Sequence, residues 1–78
     1  MPTVWRSGPY RFFFYSNEGT EPPHVHVQGG RNLAKFWLDP VSLAAARHFK
    51  AKEVSRLGRL VVEHQQQLLE AWNAFFNA

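Results

Sequence analysis

Cysteine is missing from this chain altogether. That excludes a disulfide scaffold, a thiolate metal site and a cysteine nucleophile together, and it suits a reducing, cytoplasmic setting. Long apolar runs are missing as well. Nothing approaches the roughly 20 residues of a membrane span, and the opening "MPTVWRSGPY" has no apolar stretch like that of a signal peptide, so a soluble, unexported protein without a membrane partner is expected. Acidic residues are few: six Asp and Glu stand against nine Lys and Arg, a formal charge of +3. Such a mild excess favours contact with a polyanion. There is no internal repeat, low-complexity tract or linker, so residues 1–78 read as one domain.

What the chain has in quantity is aromatic residues, with seven Phe, three Trp and two Tyr. A domain this small buries only about 60–65% of the surface of its unfolded chain. Each buried aromatic ring removes roughly 150–250 Å² from water, so these residues make a small core sufficient.

The first half of the chain has strand and turn character. Strands are expected over residues 3–6 and 10–15, the latter carrying the run Tyr10-Arg11-Phe12-Phe13-Phe14-Tyr15. The stretch from Ser16 to Pro23 is rich in turn formers and reads as a loop. Strands at 24–28 and 31–38 flank Gly29-Gly30, the signature of a two-residue hairpin turn. After Asp39-Pro40, residues 41–46 fit a fifth, edge-like strand, with a helix as the competing assignment. From residue 51 to 76 the positions Val54, Leu57, Val61, Leu68, Trp72 and Phe75 recur at helical spacing. The fold class expected is therefore α+β: a small antiparallel sheet of four or five strands, with one long C-terminal helix packed on one face. Such a helix outruns the strands, so Trp72, Phe75 and Phe76 at its end would project and invite a partner. His64 lies inside the apolar stripe and reads as a core or boundary histidine.

The least ordinary stretch is "EPPHVHV", Glu21 to Val27. With Gly29-Gly30 as the turn, Gln28 pairs with Arg31, His24 faces Lys35 and Val25 faces Ala34. Strand alternation then divides the hairpin. Val25, Val27, Ala34, Phe36 and Leu38 form a core face, while His24, His26, Leu33, Lys35 and Trp37 occupy an open one. Arg11, Phe13 and Tyr15 join the open face if Phe12 and Phe14 point inward.

Three chemistries suit that face. Acid–base cleavage of RNA needs a proton acceptor, a proton donor and a cation for the phosphorane; His24, His26 and Glu21 are the candidate catalytic groups, and histidine titrates near cellular pH. Arg11 and Lys35 would bind phosphates and Trp37 and Tyr15 would stack bases. A metal is the second option, with His24 and His26 supplying two nitrogens to Zn²⁺ and Glu18 or Glu21 an oxygen. The third is a non-catalytic interface, since so aromatic a patch rarely stays bare. No cofactor is required by the first or third.

From "RFFFYSNEGTEPPHVHV" (Arg11 to Val27) through Ala34-Lys35-Phe36-Trp37-Leu38, Pro40-Val41, Val61-Val62-Glu63-His64 and Leu68-Leu69-Glu70-Ala71-Trp72, the chain resembles a family of short bacterial proteins known as a domain of unknown function. Genes of that family tend to lie beside a second small gene, an arrangement resembling a toxin–antitoxin pair. The resemblance implies a toxin-like or antitoxin-like role and a small neighbouring-gene protein as partner. Where relatives tend to have Gly before the Phe that leads into the helix, this chain has His48, and Lys50 stands where a polar helix cap is expected. The leading expectation is a toxin–antitoxin-like component contacting RNA through the open face, as a ribonuclease in its sharpest form. The alternative is an interaction module that docks the neighbouring protein or a second copy, and the third reading is a metal-binding protein using His24 and His26.

Overall fold

Alternating side chains build a five-stranded antiparallel meander in the computed structural model, which describes residues 3–77. The strands are β1 (Thr3–Ser7), β2 (Tyr10–Phe13), β3 (His24–Gly29), β4 (Asn32–Leu38) and β5 (Val41–Arg47), and each lies beside its sequence neighbour in the order β1-β2-β3-β4-β5. Two helices follow, α1 (Ala51–Glu63) and α2 (Gln65–Phe76). The α+β class and the antiparallel sheet agree with the sequence, and the ambiguous segment after Pro40 is a strand on the sheet edge.

The hairpin register differs from the expected one. Gly29 pairs with Asn32, Val25 with Phe36 and His24 with Trp37, so the two-residue turn is Gly30-Arg31 rather than Gly29-Gly30. Within this hairpin only Gly30 has a positive φ, of 61°, as in turns whose first central residue must be glycine. Gly29 lies in the strand, packed so closely that a Cβ there would come within 3.0 Å of the Tyr10 ring and 3.3 Å of Phe49. β3 gains Gly29 and β4 gives up Arg31, so each partner moves by two positions, an even shift, and every side chain of the hairpin keeps its expected face.

The core lies on the face of Phe12, Phe14, Val25, Val27, Ala34, Phe36 and Leu38, which gather with Leu57 and Val61 of α1 and Leu68 and Trp72 of α2. The single long helix expected over 51–76 is instead two helices meeting at His64, whose backbone (φ −111°, ψ 17°) leaves the helical region. The cause is local. The His64 Nδ1–H donates to the Leu60 carbonyl at 3.0 Å, the acceptor that its own backbone N–H also uses, and its ring packs 4.0 Å from that of Trp5. Just beyond, Gln65 Nε2 donates to the Leu38 carbonyl at 2.7 Å, pinning the start of α2 to the end of β4.

The helix end does not project as expected. Trp72 is 3% exposed and packs against Phe14 and His24, and Phe76 lies against Gly19; Phe75 is the residue left exposed there.

Candidate metal centre

The loop between β2 and β3 decides which groups meet. Its end is drawn into the sheet by a hydrogen bond from Leu38 N–H to the Pro23 carbonyl at 3.0 Å, which extends the β3–β4 ladder beyond His24. Its middle is held by a turn, Glu21 N–H to the Glu18 carbonyl at 3.1 Å, and by Phe76, whose ring occupies the space a Cβ on residue 19 would need. The loop thereby lays Glu18 over the start of β3.

Glu18 Oε1 lies 2.9 Å from His24 Nε2 and 2.8 Å from His26 Nε2. The two histidines share a face because they stand two apart on one strand. Their ring centroids are 5.1 Å apart and nearly perpendicular. One ligand atom from each of Glu18, His24 and His26 falls within 4.8 Å of the others.

Both rings are fixed by their surroundings. The His24 Nδ1–H donates to the Pro22 carbonyl at 2.9 Å, since a carbonyl oxygen can only accept. Trp37 meets the His24 ring edge-on at 5.6 Å, and Trp72 covers it at 4.9 Å. His26 stacks on Phe13 at 5.4 Å and meets Tyr15 at 4.6 Å. Phe13, although on the open face, is consequently buried beneath Arg11, Tyr15 and His26.

The electrostatics follow from this geometry. Burial alone would raise the Glu18 carboxyl, but the hydrogen bonds and charges of His24 and His26 outweigh it and hold the group below its ordinary 4.5. Burial pushes His26 below its ordinary 6.5, more strongly than Glu18 draws it up, which favours the neutral ring. With the His24 Nδ1 proton committed to Pro22, the neutral form of that ring aims a lone pair at the Glu18 oxygen. Lone pair against carboxylate is repulsive, and only a proton or a cation placed between them makes the approach attractive.

Several expected site residues take other places. Glu21 does not join the histidines; its carboxylate accepts from Lys35 Nζ at 2.7 Å, and Glu18 stands beside them where Glu21 was expected. His24 is not open to a partner but wholly buried, because the loop and Trp72 close over it. Lys35, opposite His26 in the ladder, also lies 4.6 Å over the Trp37 ring. Arg11 donates to Thr3 and Gln28 and sits 4.5 Å over Phe13. Tyr15 is brought beside His26, whereas Trp37 faces His24.

The chain belongs to a family described as a domain of unknown function, DUF4160, whose model matches residues 10–73. Neither the comparison with curated proteins nor that with solved structures gives a match.

Proposed function

We propose that this member of a family of unknown function binds a divalent first-row transition ion, Zn²⁺ among them, through Glu18 carboxylate oxygen and the Nε2 atoms of His24 and His26. One observation carries the reading: three ligand atoms of the right types converge within 4.8 Å while the far nitrogen of His24 is spent on a backbone carbonyl. That outer hydrogen bond is what metal-binding imidazoles generally have, because it fixes the tautomer and leaves the other nitrogen's lone pair for the ion.

A tetrahedral ion about 2.0–2.1 Å from each donor spaces its ligands about 3.3 Å apart, so on binding the Glu18 oxygen retreats by about half an ångström from its hydrogen-bonded place and the two imidazole nitrogens, now within 4.8 Å of each other, draw together. Two imidazoles and one carboxylate suit Zn²⁺ and also Fe²⁺. Three protein ligands leave coordination positions open, which separates this set from a closed structural site.

Melting of protein stripped with EDTA and then titrated with Zn²⁺, Co²⁺, Mn²⁺ or Fe²⁺ tests the reading. At about 100 times the dissociation constant the ion adds about 2.7 kcal/mol, a rise in Tm on the order of 10 °C for a chain of this size. Glu18→Gln keeps the loop's shape and should remove the rise. A Tm indifferent to all four ions would leave the cluster as an ionic clasp between loop and strand.

RNA contact, and with it a toxin–antitoxin-like role, draws its support from the +3 charge and the family resemblance. Its expected cations are already engaged, Lys35 with Glu21 and Trp37, and Arg11 with Thr3, Gln28 and Phe13, so phosphates would have to compete for them. The metal reading needs no such competition.

A further inference from the structure

Beside the three ligands the open face of the sheet is hollow. A cleft of about 390 Å³ has Tyr15 and His26 at one side, Leu33 and Lys35 in its floor, and Ala45 and Arg47 of β5 at the other. The hollow comes from β5, where the small side chain of Ala45 lies directly across the ladder from Lys35 and leaves the space above it empty. Its volume lies at the lower end of the range for small-molecule sites. Because His26 belongs to both the cleft and the ligand set, an ion held there borders this space.

The charges around the cleft do not cancel. Lys35 is neutralised by Glu21. Arg47 is exposed and, among the described residues, its side chain has neither an ion-pair nor a hydrogen-bond partner. A divalent ion on Glu18 leaves one positive charge at the His26 side, and Arg47 adds another at the β5 side, two strands across the sheet and two residues along it, or about 12 Å away. The Arg guanidinium is a planar fork of donors suited to phosphate and carboxylate oxygens.

Building on the metal reading, we infer that this cleft takes a small phosphate monoester, whose dianionic phosphoryl group fills an open position on the ion and is drawn from the β5 side by Arg47. The net charge of two positives matches a group carrying about 1.5 to 2 negative charges at neutral pH, and a monocarboxylate would leave half of it uncompensated.

The experiment uses the full chain loaded with Co²⁺, at low ionic strength, with phenyl phosphate, inorganic phosphate and acetate as probes. The visible absorption of bound Co²⁺ reports both the ion and any ligand entering its coordination sphere. Both phosphates are expected to change that spectrum saturably, and acetate only at concentrations at least tenfold higher. Arg47→Gln, an exposed change outside the ligand set, should weaken the phosphates at least tenfold and alter Co²⁺ affinity less than twofold. A Co²⁺ spectrum indifferent to phosphate, equal affinity for acetate, or an Arg47→Gln protein that binds phosphate like the parent would each overturn the inference and leave the metal reading standing. Failure of Co²⁺ itself to bind would remove both.

Discussion

At the scale of single residues, His48 and the pair Glu18/Glu21 show how position outweighs type. His48 has φ +70°, in the left-handed region, at the turn from β5 toward α1. Its side chain is exposed and makes no hydrogen bond or ion pair with the described residues that would offset a conformation glycine adopts freely. His48→Gly is therefore expected to stabilise the fold by about 1 kcal/mol, visible as a higher urea midpoint at unchanged slope. Glu18 and Glu21 are the same residue type three positions apart in one loop. The turn that joins Glu21 N–H to the Glu18 carbonyl sends one carboxylate to the histidines and the other to Lys35. Composition names both as candidates and cannot rank them, because the ranking depends on the path of a loop with no periodicity.

At the scale of elements, strands were far more legible than helices. Period-two alternation marked β3 and β4 and assigned each side chain its face, and an even register shift left that assignment intact. The apolar stripe over residues 51–76 ran on through His64 and gave no sign of a break. The interruption arises from one side-chain hydrogen bond to a helix carbonyl and a second from Gln65 to the sheet, neither of which a hydrophobic pattern encodes. The start of α1 was legible as uncapped. Lys50 holds the extended backbone of a cap (φ −75°, ψ 155°) but makes no side-chain cap hydrogen bond. Lys50→Asp should accept from the free N–H groups of the first turn and favour its positive end, raising stability by about 1 kcal/mol in thermal or urea unfolding.

At the scale of the whole molecule, Trp72 joins parts of the fold that lie far apart in sequence. Its ring meets Phe14 after β2, His24 on β3 and Phe76 on its own helix. Trp72→Ala is expected to cost about 3–5 kcal/mol, a large share of the stability of so small a chain, with loss of the cooperative melt or a sharp fall in Tm. Phe75, 42% exposed on the same turn of helix, offers the contrast. Phe75→Ser gives up only its ring contacts with Phe14 and Phe76 and should cost on the order of 1 kcal/mol, well below Trp72→Ala, in the same measurement. Their neighbouring positions in the stripe made them look alike, and only the closure of α2 over the loop separates a core residue from a surface one.

Sequence by itself determined that His24 and His26 share the face opposite Val25 and Val27, because strand side chains alternate whatever the register of the partner strand. It determined the first four strands and the aromatic core for the same reason, since local periodicity is written in neighbouring residues, whereas the segment after Pro40 became an edge strand only by pairing with β4. Tertiary structure alone decided that Glu18 rather than Glu21 meets the imidazoles, that His24 is buried, and that a cleft lies between His26 and Arg47. Each of these depends on contacts between segments far apart in the chain: the loop anchored by Leu38 and Phe76, the indole of Trp72, and the ladder that sets Ala45 across from Lys35.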